Sequence, residues 1–290
     1  MRPLLIAAFL ALTATAVSAA PPGDVPAAVY TDPASDAAHP ARMQVLHIPS
    51  HGVSINGVAY LAAGAQPHPT VVLLHGLPGN EKNLDLAQAI RRAGWNVVTF
   101  NYRGSWGSPG TFRFGQNFED ADAVLAYVRD PANAVLLGVD TRRLVIIGHS
   151  MGGWIAVATA GHDSGLIGLA SISAADMSRL GGAPPATRDK AMADNMESLA
   201  GVTAQDMGED IALVGPRHPF AAAAPGLIGK SYLAMTSDDG LAPDTDALVA
   251  AIRAAGGTKV TTLHAPTDHG WSDHRIALES AVITWLQALK

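Results

Sequence analysis

Hydrophobic and polar positions along this chain fall into two alternating patterns. Short, almost wholly apolar runs stand at 70–74, 95–100, 144–147, 166–172, 231–236 and 260–263. Such runs are expected of strands covered on both faces of a parallel sheet. Between them the apolar residues recur at helical spacing. Residues 81–93 place Leu84, Leu86, Ala87 and Ile90 on that spacing and end at Gly94, and residues 119–129 gather Ala121, Val124, Leu125 and Val128 on one side. Further helices are predicted over 153–160, 243–255 and 275–289. Two alternating strands, 43–49 and 53–61, come first, joined by Ser50-His51-Gly52, with Asn56-Gly57 marking a further turn or bulge. Strand and helix in alternation predict an α/β fold, with a mostly parallel central sheet and helices on both faces.

One segment breaks the alternation. Residues 174–229 show no strand pattern and carry short predicted helices at 188–200 and 204–213. Thr203 and Asp206 form the pattern of a capping box, and Gly201 suits the preceding C-cap. Placed after the 166–172 strand, this insertion is expected to lie over the carboxyl ends of the strands as a small helical cap. It contains Leu180, Leu199, Ile211, Leu213, Phe220 and four methionines, Met177, Met192, Met196 and Met207. Met192 and Met196 share a predicted helical face. Core packing and a pliable apolar pocket wall are equally open for them.

The run at 144–147 leads straight into Gly148-His149-Ser150-Met151-Gly152, and an apolar helix follows. With 29 glycines in 290 residues, a bare G-x-S-x-G arises readily by chance. The weight lies in the strand before it and the helix after it. A serine at the tip of a sharp strand-to-helix turn projects its hydroxyl above the sheet, toward the positive end of the following helix.

Composition narrows the function. The chain is 48% hydrophobic and 15% charged, has a formal net charge of −6 and contains no cysteine. A thiol nucleophile and a thiolate metal site are therefore excluded. No basic run points to nucleic acid or to an anionic membrane. At the N-terminus Arg2, the apolar stretch 4–12 and Val17-Ser18-Ala19 have the form of a signal peptide, residues 1–19, cut after Ala19. Residues 20–42, rich in Pro, Ala and Asp, are expected to be a flexible leader, and residues 43–290 one large α/β domain with its insertion at about 174–229. The expected product is exported, periplasmic or secreted, with no membrane span after cleavage.

The order of elements, Gly148-His149-Ser150-Met151-Gly152 and His75-Gly76-Leu77-Pro78-Gly79 together resemble the α/β-hydrolase superfamily over roughly residues 43–290. Tyr102-Arg103-Gly104-Ser105 is similar to the corresponding loop of prolyl-oligopeptidase-like and dienelactone-hydrolase-like members. The resemblance implies an α/β-hydrolase fold with a serine nucleophile, then an acid after a later strand, then a histidine near the C-terminus. Ser150 fits the first. Asp239 fits the second, because Asp239-Gly-Leu-Ala-Pro243 has the family's spacing to proline, with Asp238 as the alternative acid. His269 fits the third; His264 and His274 read as surface or structural residues. The oxyanion hole is expected from the N–H groups of Met151 and Leu77, since Pro78 has none to offer. His149 and Arg103 are candidates for substrate contact, Arg103 having the alternative of a structural ion pair. No cofactor is implied, and no ligand spacing supports a metal among His269, His274, Asp268 and Asp273.

The function so implied is cleavage of a small-molecule ester or other acyl substrate through an acyl-enzyme. A peptidase, an acyltransferase and, from another class, a non-catalytic binding protein are the alternatives. A peptidase would need room for an extended chain, which its prolyl-oligopeptidase relatives obtain from a large extra domain ahead of the hydrolase domain; only a short leader is expected here. Nothing in the sequence sets an oligomeric state.

Overall fold

The computed structural model describes residues 25–289, so the expected signal peptide lies outside the described residues. Eight strands form one sheet: β1 (Arg42–Ser50), β2 (Val53–Leu61), β3 (His68–Leu74), β4 (Asn96–Phe100), β5 (Val139–His149), β6 (Leu166–Ile172), β7 (Ser231–Ser237) and β8 (Val260–Ala265). Their order across the sheet is β1-β2-β4-β3-β5-β6-β7-β8. β2 runs antiparallel to both β1 and β4, and every other pairing is parallel. β1 and β2 form a hairpin whose two turn residues, His51 and Gly52, both have positive φ, 45° and 89°. That is the turn whose twist matches a right-handed hairpin. Asn56-Gly57 makes no turn. Both residues lie inside β2, where a Cβ on Gly57 would stand 2.8 Å from the Thr99 carbonyl oxygen of β4.

Eleven α-helices are present among the described residues: α1 (Ala27–Tyr30), α2 (Leu84–Arg92), α3 (Phe114–Arg129), α4 (Pro131–Leu137), α5 (Met151–His162), α6 (Met177–Gly181), α7 (Pro185–Ala193), α8 (Ala204–Val214), α9 (Phe220–Leu227), α10 (Ala242–Ala254) and α11 (Arg275–Gln287). The period of two in the central strands divides the core. Val72, Leu74, Leu144 and Ile146 face α3, α5 and α10, while Val71, Leu73, Val145 and Ile147 face α2 and α11. Both faces are dry, which is why these strands read as unbroken apolar runs. Within the stretch expected as a leader, the single turn α1 packs Ala28 and Val29 against the second face, and Arg92 donates to both of their carbonyls at 2.6 and 3.1 Å.

The insertion is joined to the body on the first face. α9 packs between α5 and α10 as the crossover helix from β6 to β7, so only α6, α7 and α8 are additions to the sandwich. The expected capping box is there: Asp206 N–H donates to Thr203 Oγ1 at 3.1 Å and Thr203 N–H to Asp206 Oδ2 at 2.9 Å. The helix predicted to run to Ala200 stops at Ala193. Beyond it the backbone pairs with the loop after β4 instead: Trp106 N–H donates to Ser198 O, Ala200 N–H to Gly104 O and Phe112 N–H to Ala200 O. These long-range bonds override a helical propensity that ran on past residue 193.

Candidate active site

Ser150 stands between the end of β5 and the start of α5 with φ 58° and ψ −124°. A side chain held in that region costs about 1–3 kcal/mol and persists only when its surroundings impose it. Here they do. Ser150 N–H donates to Ile172 O at 3.0 Å, and Ser150 O accepts from the N–H groups of Gly153 at 2.9 Å and Ala175 at 3.1 Å. The flanking glycines are steric requirements: a Cβ on Gly148 would lie 2.1 Å from Gly152 O, and one on Gly152 2.5 Å from both Leu74 O and His75 O. The turn can close only if both positions lack side chains.

Asp239 and His269 come from the loops after β7 and β8. His269 Nδ1 lies 2.7 Å from Asp239 Oδ2, and Asp239 Oδ1 accepts the Leu241 N–H at 2.9 Å. Burial pushes the Asp239 carboxyl up, but the bonds from His269, Leu241 and Ser237 outweigh it and hold the group below the usual carboxylate range. An ionised carboxylate only accepts, so Nδ1 carries the proton and Nε2 is left as a base. The Asp239 side chain is 6% exposed and that of His269 41%. Asp238, its neighbour, is 64% exposed and meets His264 Nε2 at 3.1 Å, away from His269.

The loop after β3 lies against the nucleophile. A Cβ on Gly76 would fall 3.3 Å from Ser150 Oγ. Among the described residues neither Leu77 N–H, next to Gly76, nor Met151 N–H, next to Ser150, has a hydrogen-bond acceptor. His75 braces this loop from beneath: its Nδ1 pairs with Gly76 O at 2.8 Å, and Tyr102 OH donates to His75 O at 3.4 Å. Complete burial pulls the His75 pKa down to about 4, so the ring is neutral at working pH.

A family model described as "Alpha/beta hydrolase family" matches residues 71–286, which include every strand from β4 to β8 and the whole site. The chain belongs to the alpha/beta hydrolase family. It is 32% identical over 116 residues to the sn-1-specific diacylglycerol lipase ABHD11 of Xenopus tropicalis. That match covers 38% of this chain, and the chain spans 33% of the relative's length. The fold is similar to that of an esterase of Pyrobaculum calidifontis, with TM-score 0.63 at 20% identity over 86% of this chain and 87% of that one. It is also similar to the acylaminoacyl peptidase of Pyrococcus horikoshii, with TM-score 0.64 at 15% identity, covering 85% of this chain but 41% of that one.

In this alpha/beta hydrolase two residues expected at the substrate are placed elsewhere. His149 is buried, and its Nε2–H donates to the backbone carbonyl of His269 at 2.9 Å. The Arg103 guanidinium is also buried: Nε bonds Asp120 Oδ1 at 2.7 Å, and Nη2 bonds Glu119 Oε2 at 2.5 Å and Gln116 O at 3.0 Å. It joins the loop after β4 to α3, as a structural ion pair. Of the two places open to the insertion's apolar residues, most take the core. Met177, Met192, Met207, Ile211 and Phe220 belong to the core, Met196 lies beyond the end of α7, and Leu213 is 65% exposed.

Three residues at the site escaped the sequence reading: Ser173, Ser237 and Trp271. All are buried, and each sits at the carboxyl end of a strand or in the loop after it. In an open α/β sheet that position alone marks a residue for inspection.

Proposed function

We propose that this protein is a serine hydrolase that cleaves carboxylic esters through an acyl-enzyme. The observation that carries the reading is the 2.7 Å bond from His269 Nδ1 to the covered Asp239 side chain, with His149, the residue before the strained Ser150, bonded to the His269 carbonyl. In this mechanism His269 Nε2 takes the Ser150 hydroxyl proton as Oγ attacks the ester carbonyl. The oxyanion that forms is received by the N–H groups of Leu77 and Met151, at the positive end of α5. Collapse of the tetrahedral adduct breaks the bond to the alkoxy oxygen, and His269 returns the proton to it, releasing the alcohol. Water then attacks the acyl-enzyme by the same proton route, releasing the acid and restoring Ser150. Asp239 holds the imidazole in the Nδ1–H tautomer and stabilises its cation, without itself taking the proton.

Leaving-group chemistry favours esters over peptides. An alkoxide leaves more readily than an amine, so modest binding energy suffices for turnover. An extended peptide needs contacts on both sides of the scissile bond. Export, with cleavage after Ala19, is part of the same reading and rests on residues 1–19 of the sequence.

The test compares p-nitrophenyl esters of short to medium acyl chains with aminoacyl and prolyl anilides on one preparation, near neutral to mildly alkaline pH. Esters are expected to be hydrolysed and anilides scarcely at all. An anilide whose kcat/KM exceeds that of the best ester would replace the esterase with a peptidase.

A further inference from the structure

The loop that carries Leu77 is held by two residues that no step of the ester chemistry uses. The Pro78 carbonyl accepts two hydrogen bonds, from the Trp106 indole N–H at 2.6 Å and from Ser198 Oγ at 2.7 Å. Trp106 stands on the loop after β4, and Ser198 lies in the insertion, between α7 and α8. The two also bond each other, Trp106 N–H donating to Ser198 O at 2.9 Å. Three segments far apart in sequence thus meet at one carbonyl oxygen, and both of its lone pairs are used.

Trp106 is not where packing alone would put an indole. It is 39% exposed, and its backbone has φ 48°. For a residue other than glycine that conformation is costly and persists only where the surroundings impose it. Here its N–H is taken by Ser198, its carbonyl accepts from Asn101 Nδ2 at 3.2 Å, and the Lys82 ammonium stands 4.2 Å from the ring centroid. The indole N–H is thereby delivered to Pro78 O.

The consequence for Leu77 follows from the planarity of the peptide. The Leu77 N–H shares its peptide plane with Gly76 O, which pairs with His75 Nδ1 at 2.8 Å. Two peptides further on, Pro78 O is held by Trp106 and Ser198. Gly79 turns the loop between these anchors with φ 89°, and a Cβ there would stand 2.4 Å from His75 Nδ1 and 3.0 Å from Trp106 Nε1. Leu77 is bracketed by two anchored carbonyls, so its N–H swings only if one of those bonds gives.

We propose that Trp106 and Ser198 position the oxyanion hole: by holding Pro78 O they fix the Leu77 N–H where the oxyanion forms, and they make the insertion part of the hole. Both are positioning residues, since neither touches the reacting atoms. The proposal rests on the assignment of Ser150 as nucleophile and of Leu77 N–H as an oxyanion donor.

The test uses the purified protein and an alkyl trifluoromethyl ketone. Ser150 Oγ bonds the ketone carbon, the carbonyl oxygen takes the electron pair, and the hydroxyl proton passes to His269 Nε2. The 19F shift of the adduct against pH gives the midpoint at which the hemiketal oxyanion takes a proton. Ser198→Ala and Trp106→Phe, which keeps a ring, each remove one donor to Pro78 O. Each is expected to raise that midpoint by about half a unit, since a loosened donor favours the charged form less. With a p-nitrophenyl ester kcat is expected to fall about fivefold at nearly constant KM, the worth of a modest hydrogen bond. That is well short of the roughly hundred- to thousandfold cost of removing an oxyanion donor outright. Ser198→Thr keeps the hydroxyl and is expected to recover the wild-type midpoint, which a packing defect at this position would not allow. Unmoved midpoints in folded Ser198→Ala and Trp106→Phe proteins, or losses confined to KM, would overturn the proposal; if Trp106→Phe does not fold, Ser198→Ala decides alone. A wild type that forms no hemiketal would instead overturn the assignment of Ser150, and this proposal with it.

Discussion

The imidazole of His149 is bonded through Nε2–H to the backbone carbonyl of His269 at 2.9 Å, and the two rings stand with centroids 4.8 Å apart. The residue before the nucleophile thus anchors the loop that carries the base. Burial, reinforced by the neighbouring His269, pulls the His149 pKa down to about 4, so it donates as a neutral ring. His149→Phe keeps an aromatic ring but loses the bond, and leaves the His269 carbonyl without its donor. We expect kcat to fall by up to about tenfold, the worth of one ordinary hydrogen bond, with KM little changed. Steady-state kinetics on a p-nitrophenyl ester checks this; a large rise in KM at constant kcat would return His149 to substrate binding.

The two adjacent aspartates differ in what they face. Asp239 is 6% exposed and bonded to His269, whereas Asp238 is 64% exposed and meets His264. Asp239→Asn is expected to lower kcat by about ten-thousand-fold by favouring the wrong tautomer of His269. Asp238→Asn is expected to cost less than about threefold, as exposed ion pairs contribute little. The reverse ranking would move the acid to Asp238.

Stability should respond to pH in two opposed ways. His75 and His149 are buried neutral, with pKa lowered by burial from 6.5 to about 4. The unfolded chain binds those protons first, so this part of the stability is complete above pH 6.5 and is lost as pH falls toward 4. Glu279 acts in the other direction. Burial and the charge of Asp85 raise its pKa from 4.5 to about 7, so the folded chain holds that proton longer, and stability declines as pH rises from 4.5 to 7. Glu279→Gln should therefore steepen the gain in melting temperature with pH between 4.5 and 6.5, and His149→Phe should flatten it. Parallel melting curves for wild type and Glu279→Gln across that range would contradict the assignment.

Much of this molecule was legible because its signals are local. The apolar runs at 166–172 and 231–236, the hairpin turn at His51-Gly52 and the capping box at Thr203 each depend on a few neighbouring residues, and each is where the sequence placed it. α4 was equally legible and went unread: Asp130 caps it by accepting from Ala132 and Asn133, Pro131 opens it, and Gly138 closes it at φ 63°. What could not be read was decided by distant partners. Residues 198–200 leave the helical pattern because the loop after β4 binds their backbone, and Met177, Met192 and Met207 turn inward into a core where α8 packs against α3. His149 and Arg103 misled for a related reason. A polar residue beside a motif looks like a substrate ligand until its buried partner, the carbonyl of His269 or the carboxylate of Asp120, comes into view.

The measurement that bears most directly on the central claim is covalent labelling of Ser150. The purified protein is treated with a fluorophosphonate and its intact mass and tryptic peptides are recorded, beside a Ser150→Ala variant shown by circular dichroism to be folded. A single adduct on Ser150 in the wild type is expected, with none in the variant and a fall in kcat of about a million-fold. Covalent labelling of the folded Ser150→Ala protein, or a wild type whose only adduct lies on another residue, would contradict the assignment of Ser150 as the nucleophile.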